Sequence, residues 1–450
     1  MVNAASPRTT TNGFVNTATD PFSAVVVATP DLAGRLLGRR HSWPHYQASA
    51  SKAVNTCEVV FGWGLGHELL DGFSGVGWDH GYGDLRFVTD PDTLRPMGWQ
   101  DGVGIAFADV VTGDGTPFFA SPRNILRKQI ERAHSAGYQP LVTSELEFFA
   151  LQHTSETLAQ QGFTGLKPIR ETLQPELACA ISTDETIMAE LFGALQRTGI
   201  EVETAKTEYC PGQYEVTLVP TDPMRMADQH ALYKMATRQI FRRHGMSATF
   251  MAKVDDHWAG SSSHLHISLT DENGSNLFAT DENLLRHFGA GLQAFARDFF
   301  LLWAPYPNSY KRFRDGTFAP TALTWGDDNR TVALRVTGHG SARHLENRIP
   351  GADINPYLGY AALLAAGLEG IERGLLPADE VEQRNAYTEK IGRPLPESLG
   401  EALDAFYDSP VTRQTLGEAA VEHITTFLSS ELRASQLAVT DWDRRRLFDL

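Results

Sequence analysis

Cysteine and long apolar runs are both scarce in this chain of 450 residues. Its three cysteines, Cys57, Cys179 and Cys210, are odd in number and far apart, which argues against a disulfide framework and against a CxxC metal site. A reduced, cytoplasmic protein is therefore expected. Apolar runs such as Ala24 to Ala28 have the length of a strand, well short of the roughly 18 residues of a membrane-spanning helix. We expect a soluble protein with no membrane partner.

Basic residues are outnumbered, because 39 Lys and Arg face 55 Asp and Glu and the formal net charge is −16 at pH 7. No stretch concentrates enough positive charge to follow a phosphate backbone, so nucleic acid is not an expected partner. Residues 1–20 are rich in Thr, Asn, Ala and Ser and lack the basic start and apolar run of a signal peptide. We interpret them as a flexible tail.

Several common catalytic motifs are missing as well. The sequence contains no GxxxxGK[ST] loop, and the glycine-rich run from Gly62 to Gly66 does not open a helix with an acidic residue farther on. It contains no GxSxG elbow, and Cys210 has no evident base partner. A nucleotide, if one binds, must therefore use neither a P-loop nor a Rossmann fold, and a covalent hydrolase is disfavoured.

The pattern along the chain predicts an α+β protein with two unequal domains. Apolar residues make up 42% of the chain, enough for packed cores. Up to about residue 115 the sequence reads as short strands and turns, so we predict a tail over 1–20, a small β domain over 21–115 and a catalytic domain over 116–450. An Asn273-Gly274 pair indicates a hairpin. Strands are predicted at 23–28, 56–61, 139–143, 145–151, 213–219, 247–254, 264–270 and 331–336, and helices at 123–136, 187–199, 222–244, 282–304, 355–373 and 397–408.

Two glutamates, Glu145 and Glu147, stand two residues apart in an apolar stretch. Alternate residues of a strand share one face, so both carboxylates would project together and repel each other. A divalent cation would offset that repulsion. An exposed strand face with two solvated carboxylates would explain the same spacing, so this pair alone does not decide between the two interpretations.

Further potential metal ligands recur later in the chain, on predicted strands or beside a turn. Imidazole suits Mn or Zn, and carboxylates suit Mg or Mn. Each of these residues alone is better explained as structural or solvated, but together they indicate a polynuclear, oxygen-rich metal site. They are Glu208, Glu215, His264, His266 and Glu346.

Arginines accompany these acidic residues. Guanidinium groups and divalent cations together neutralise the charge that develops on a transferred phosphoryl group, and the fork of an arginine suits carboxylate and phosphate oxygens. The combination therefore predicts phosphoryl transfer, although surface ion pairing would account for any single arginine. The candidates are Arg312, Arg330, Arg335 and Arg348.

In their order along the chain, these motifs resemble the signature of the glutamine synthetase family. The resemblance runs from about residue 22 to the C-terminus and is weakest before residue 100. It implies a small N-terminal β-grasp domain, a catalytic domain with a curved antiparallel sheet flanked by helices, and rings of subunits that share active sites. The motifs are Glu145-Leu-Glu147, Glu208 to Glu215, Gly260 to Ser268, Asn308 to Arg312, Asp328-Asn-Arg330 and Glu346 to Leu358.

The resemblance implies a reaction in which ATP phosphorylates the γ-carboxylate of L-glutamate and an amine nitrogen then displaces phosphate. About two or three Mg²⁺ or Mn²⁺ ions per site would assist. The matching metal positions are Glu147, Glu208 and Glu215 for the first ion and Glu145, His264 and Glu346 for the second. The other matching positions are Arg330 and Arg335 at the phosphoryl oxygens, Gly260, Arg312 and Arg348 at glutamate, Glu203, His266, Ser268 and Arg335 at the nucleotide, and Asp71 with Ser74 of an adjoining subunit at the amine.

One departure from the family pattern concerns the amine. Six residues after Arg312, where ammonia-using members carry a flap glutamate, this chain has Phe318. An aromatic ring cannot accept a proton, but it can pack against an alkyl or aryl group or lie beneath a cation. The residues that follow Phe318 and those around Trp325 resemble γ-glutamylamide synthetases that act on ethanolamine, isopropylamine, polyamines or anilines. The aromatic loop from Trp63 to Trp78 favours a small, mostly apolar monoamine, unless these aromatic residues merely pack a subunit interface.

Three hypotheses about function remain open on the sequence. The first is a ligase that joins glutamate to an amine other than ammonia, and the second is a glutamine synthetase that uses ammonia. The third is a non-catalytic ring scaffold, which the six metal positions disfavour because unpaired buried charges are costly. Tyr387 lacks the surroundings of an adenylylated tyrosine, so that form of regulation is not expected. Arg343 and His344 blur the position of a nucleotide-contacting basic residue.

Overall fold

The computed structural model describes residues 20–173, 175–177, 184–378, 380–381, 384–389 and 391–450. Nearly all of the predicted tail, and Cys179, lie outside the described residues. Within the part of the chain that is described, none of the helices combines the length and the apolar character that crossing a bilayer requires.

The N-terminal sheet has β6 at its centre, and every residue of β6 from Val103 to Ala108 is buried. The strand order is β2-β1-β6-β4-β3, with β5 also paired to β6, and only β1 and β6 run parallel among these pairs. The strand predicted over 56–61 was wrong, because β3 ends at Cys57 and a single 3-10 turn, Glu58–Phe61, follows it. The strands are β1 (Ala24–Pro30), β2 (Leu36–Ser42), β3 (Ala53–Cys57), β4 (Asp84–Thr89), β5 (Arg95–Pro96) and β6 (Val103–Val111).

The larger sheet has the order β13-β14-β15-β11-β7-β9-β8, with β10 paired to β7. Its neighbours are antiparallel except for the short parallel pair β13 and β14. β7 continues through the buried Ser144, where two separate strands were predicted. The strands are β7 (Gln139–Leu151), β8 (Val202–Thr207), β9 (Gln213–Leu218), β10 (Ser247–Thr249), β11 (Ser263–Thr270), β13 (Trp325–Asp327), β14 (Leu334–Thr337) and β15 (His344–Asn347), while β12 (Ala322–Leu323) pairs with β16 (Arg393–Pro394) outside this sheet.

Helices flank the sheets, and each of the six predicted helices is present with ends that differ by a few residues. The helices beyond residue 408 were not predicted. The bounds are α1 (Trp43–His45), α2 (Pro122–Ser135), α3 (Ser155–Gln160), α4 (Glu185–Arg197), α5 (Pro223–Arg243), α6 (Leu277–Thr280), α7 (Glu282–Trp303), α8 (Pro356–Glu372), α9 (Ala386–Glu389), α10 (Leu399–Asp408), α11 (Pro410–Leu416), α12 (Glu418–Leu437) and α13 (Asp441–Leu447).

The Asn273-Gly274 pair does form a turn, and Gly274 adopts the positive φ of 79° that favours glycine. The side chain of Asp271 accepts hydrogen bonds from the backbone of Asn273 and Ser275, at 2.9 and 2.8 Å. The predicted hairpin does not follow, because a single bridge closes the turn and the chain then enters α6. The strand predicted over 247–254 is also shorter, since only β10 pairs with β7.

Buried polar contacts join the N-terminal sheet to the rest of the chain. Asn355 begins α8 by accepting a hydrogen bond from Tyr357 at 3.0 Å. Its amide also donates to the carbonyl oxygens of Asp31 and Leu32 at 3.0 and 3.1 Å. One apolar core extends through both sheets. The boundary near residue 115 stays a prediction.

Candidate active site

The pairing register of the larger sheet places acidic and imidazole side chains on one face. On β7, Glu145 lies opposite His264 of β11, and Glu147 lies opposite Glu215 of β9. Residues two apart share a strand face, and directly opposed side chains lie about 5 Å apart. The antiparallel arrangement therefore gathers residues that are far apart in sequence.

Glu147, Glu208 and Glu215 form a buried cluster, called here the first triad, whose carboxylate oxygens lie within 4.8 Å of one another. Two neutral residues hold Glu147 in place. The hydroxyl and the backbone amide of Ser262 donate to Glu147 at 2.6 and 2.9 Å, and the amide of Gln213 donates at 2.9 Å. Sequence reasoning assigned neither residue a role, although Gln213 lies within the Glu208 to Glu215 motif and Ser262 lies within the Gly260 to Ser268 motif.

Lys206 lies beside the first triad, with its ammonium nitrogen 2.8 Å from Glu208 and 3.3 Å from Glu215. Burial, reinforced by the charges of Glu145, Glu147 and Glu208, raises the pKa of Glu215 to about 11. Burial and the charge of Glu208 also raise the pKa of Glu147. The cluster therefore has more carboxylates than its surroundings can keep ionised without added positive charge. Lys206 was not predicted, although it lies opposite Glu215 on β8 and two residues before Glu208.

Glu145, His264 and Glu346 form the second triad, whose potential ligand atoms also lie within 4.8 Å of one another. Nδ1 of His264 is 2.9 Å from Glu145 and 3.1 Å from Glu346. Burial alone would raise the pKa of Glu145, but hydrogen bonds with His264 and His266 hold it well below its ordinary value. Burial likewise opposes ionisation of Glu346, yet the charge of Arg348 and the bond to His264 keep its pKa well below the ordinary range.

Two arginines bind the second triad directly. Arg335, opposite Glu346 on β14, donates to Glu346 at 3.0 Å and also pairs with Asp328. Arg348 pairs with the other oxygen of Glu346 and donates to the carbonyl oxygen of Phe318 at 3.3 Å. Guanidinium groups therefore already balance this triad, unlike the first.

Arg312 is buried against Gly260, beside the first triad. A Cβ atom on Gly260 would lie 2.3 Å from Cγ of Arg312, so the arginine requires glycine at this position. Burial lowers the pKa of Arg312 to about 10, and Glu147 and Asp353 are its acidic neighbours. The amide of Gln213 donates to the carbonyl oxygen of Gly260 at 3.0 Å and thus links this pair to Glu147.

A cavity of about 380 Å³ opens beside Glu145. Of the four residues that the resemblance implies at the nucleotide, Glu203, His266 and Ser268 line this cavity and Arg335 does not. Nδ1 of His266 lies 3.1 Å from Nε2 of His344 on its wall. The lining residues include Glu203, His266, Ser268, Arg343 and His344.

Three predicted residues lie apart from the triads. Arg330 is exposed, and its charge acts on the neighbouring Asp328. Asp71 and Ser74 line a surface cavity beside α12, and Ser74 donates to Glu422 of that helix at 3.5 Å. Their predicted role in the site of an adjoining subunit stays a prediction.

Comparisons with known proteins agree with the resemblance. The family described as glutamine synthetase, catalytic domain, matches residues 119–447. The γ-glutamylethanolamide synthetase GlnA4 of Streptomyces coelicolor is 39% identical over 437 residues, which cover 96% of this chain and 94% of that protein. The glutamate–isopropylamine ligase of a Pseudomonas species is 37% identical over 411 residues, which cover 89% of each chain.

Comparison with solved structures indicates the same fold. A complex of GmaS with ADP superposes with a TM-score of 0.84 at 27% sequence identity, and the match covers 96% of this chain and 97% of that one. The α+β architecture with a small N-terminal β domain and a curved sheet flanked by helices is thus confirmed.

Proposed function

Because this chain belongs to the glutamine synthetase family of carbon–nitrogen ligases, we propose that it uses ATP to join the γ-carboxylate of L-glutamate to a primary amine other than ammonia. The family in general depends on ATP and a divalent cation. One observation carries the choice of amine, namely that an aromatic residue, Phe318, stands where its carbonyl oxygen accepts a hydrogen bond from Arg348 beside the second triad, while its ring contacts Tyr209. Two similar proteins, one named for γ-glutamylethanolamide and the other for isopropylamine, support this choice.

The three carboxylates of the first triad fit Mg²⁺ or Mn²⁺, and the imidazole that joins two carboxylates in the second triad fits Mn²⁺ as well. The first triad carries the stronger argument, because a carboxyl with a pKa of about 11, that of Glu215, would otherwise hold its proton at neutral pH. A bound cation would polarise phosphoryl oxygens as a Lewis acid. Mg²⁺ or Mn²⁺ at both triads is part of the proposal.

The arginines have separate proposed tasks. Arg312 and Arg348, with Gly260, would bind the carboxylates of glutamate and hold its γ-carboxylate beside the first triad. Arg335, with Arg330, would neutralise the γ-phosphoryl group of ATP during its transfer. These tasks are supported by the burial of Arg312 and Arg348 beside the triads and by the exposure of Arg330 to solvent.

The nucleotide would occupy the cavity beside Glu145. Glu203, His266 and Ser268 supply an acceptor, an imidazole and a hydroxyl on its walls. Arg343 is available there for a phosphate or a ribose hydroxyl, although it already pairs with Asp327 at 3.0 Å. Glu145, a member of the second triad, also lines this cavity.

The amide forms in a second step. The amine arrives as R–NH₃⁺ and loses a proton, and its lone pair attacks the γ-carbonyl carbon of γ-glutamyl phosphate. The new C–N bond forms as the bond from that carbon to the phosphate oxygen breaks, and a second proton leaves the nitrogen. We propose that Asp71, with Ser74, of an adjoining subunit takes the first proton, which requires the subunits to form rings.

A cytoplasmic location is also proposed, in keeping with the free thiols of Cys57 and Cys210.

Ammonia is the second candidate substrate, because a glutamine synthetase of Thermus thermophilus is 34% identical over 382 residues. A polyamine is a third, because the γ-glutamylputrescine synthetase PuuA of Escherichia coli is 33% identical over 369 residues. A non-catalytic scaffold is disfavoured, since it would gain nothing from the crowded carboxylates of the first triad.

The test is phosphate release from ATP with glutamate and Mg²⁺ or Mn²⁺, across ammonia, ethanolamine, isopropylamine, ethylamine, putrescine, spermidine and aniline. Mass spectrometry identifies each product. Turnover with an organic amine in preference to ammonia is expected. Turnover with ammonia alone would contradict the proposed amine, and no turnover with any amine would contradict the ligase.

A further inference from the structure

Tyr209 and Phe318 form an aromatic pair that faces solvent. Their side chains are 55% and 47% exposed, yet their ring centroids are only 5.8 Å apart, at an interplanar angle of 42°. Apolar surface on two rings is costly to leave in water, and paired aromatic rings are common in binding sites. The pair therefore has the properties of a binding surface rather than of a core.

The two residues belong to segments that contact different triads. Tyr209 directly follows Glu208 of the first triad, and its backbone amide donates to that carboxylate at 3.2 Å. The carbonyl oxygen of Phe318 accepts from Arg348, which pairs with Glu346 of the second triad. Backbone contacts thus link the pair to both triads, and the proposed function places the activated carboxyl group beside the first of them.

The backbone of Phe318 is held in an unfavourable conformation. Its φ of 56° lies in the left-handed region that bulky side chains avoid. The hydroxyl of Tyr387 donates to the carbonyl oxygen of the next residue, Ala319, at 3.1 Å, which fixes the segment on its other side. Strain of this kind persists where surrounding contacts impose it, and it is concentrated at functional sites.

We propose that Tyr209 is a specificity-determining residue and that its ring, together with Phe318, receives the substituent of a primary monoamine with a small apolar or aryl group. The inference rests on the proposed function and names the substrate class. The π faces attract the incoming ammonium group, and after deprotonation they retain the apolar substituent by contact. Ammonia has no substituent and gains only the first of these interactions.

The experiment compares kcat/KM for isopropylamine and for ammonia in the wild type, Tyr209→Ala and Tyr209→Phe. The ratio of the two values is expected to fall about tenfold in Tyr209→Ala, chiefly through the KM of isopropylamine. Tyr209→Phe keeps the ring and is expected to keep the ratio, and the KM values of ATP and glutamate stay unchanged. Tyr209→Leu provides a second variant in case the alanine protein is poorly folded.

Phe163→Ala serves as a matched control, because Phe163 is 62% exposed and has the same φ of 56° as Phe318, but lies after α3 and away from the triads. It is expected to keep the wild-type ratio. The inference is overturned if Tyr209→Ala and Tyr209→Leu leave the ratio unchanged or lower both rates equally. If the wild type itself releases no phosphate with any amine, the proposed function fails and the inference fails with it. Wild-type turnover with an unchanged ratio in the variants would refute the inference alone.

Discussion

The first triad gathers three carboxylates with Lys206 beside them, whereas the second combines two carboxylates with an imidazole and two paired arginines. Their pKa directions differ accordingly. Burial raises the pKa of Glu147 and of Glu215, while the charges around Glu145 and Glu346 overcome burial and lower theirs. Two clusters on one sheet face thus differ in electrostatic balance, and the difference indicates that the first depends more on a bound cation.

Replacing Glu147 by alanine is expected to have the largest effect. The variant removes a carboxylate that Ser262 and Gln213 hold in place, so phosphate release should fall on the order of 10³-fold. The melting temperature should change little, because the substitution also relieves carboxylate repulsion. Glu156→Ala, which changes an exposed carboxylate on α3, is the control and should keep the wild-type rate. Wild-type rates in Glu147→Ala would refute the assignment of the first triad.

Removal of the cation should affect the first triad more than the second. A cation at about 100 times its Kd stabilises the folded protein by about 2.7 kcal/mol, and chelation removes that stabilisation. We expect Glu215→Gln to abolish more of the metal-dependent rise in melting temperature than His264→Asn does, because the first triad has the greater excess of acid. Equal losses in the two variants, measured by thermal unfolding with Mn²⁺ and with chelator, would refute the proposed difference.

The pH dependence of the free energy of unfolding of the metal-free protein also tests the electrostatic difference between the two triads. Glu215 has a pKa of about 11 when folded, against an ordinary value of 4.5, so between these values the folded state keeps a proton that the unfolded state releases. Stability should therefore fall as pH rises, by at most about 1.4 kcal/mol per pH unit.

Urea unfolding in chelator at about pH 6 and about pH 8 measures this slope. Glu215→Gln should flatten it. Glu346→Gln, from the second triad, should leave it in place, because the pKa of Glu346 is already low. A slope that is unchanged in Glu215→Gln would mean that other groups cause it.

The smallest effect is expected from Phe318→Glu, which places a carboxylate beside the ring of Tyr209. The carboxylate can offset an ammonium charge, so the ratio of ammonia to isopropylamine turnover should rise by about threefold to tenfold. The amide products are measured in competition between the two amines. Phe318→Leu, which adds no charge, should not raise that ratio, and an unchanged ratio in Phe318→Glu would remove this residue from the specificity argument.

Sequence reasoning went furthest where side-chain spacing follows from backbone geometry. Glu145 and Glu147 share a strand face because the strand repeat is two residues, and both triads contain the residues that the ordered motifs implied. Asp222 and Asn355 were placed at helix starts, and both cap a helix through their side chains.

Sequence reasoning failed where strand pairing or loop packing decides which residues meet at the site. Lys206 has no motif of its own and becomes part of the site only because β8 pairs with β9 in a register that places it opposite Glu215. Tyr209 reads as an ordinary turn residue until the segment around Phe318, more than 100 residues later, folds against it. The Asn273-Gly274 turn was predicted, but the helix after it depends on packing of Phe278 against Phe288.

Local spacing and residue chemistry were enough to predict the α+β class and the potential ligands, because these depend on repeats of two or 3.6 residues and on side-chain type. The family was indicated by the resemblance of the ordered motifs. The division of the ligands into an acid-rich and an arginine-balanced triad came from the tertiary structure. The pairing of Tyr209 with Phe318 also came from the tertiary structure. Charge balance and ring contact depend on distances between residues that are remote in sequence, and only strand register and loop packing set those distances.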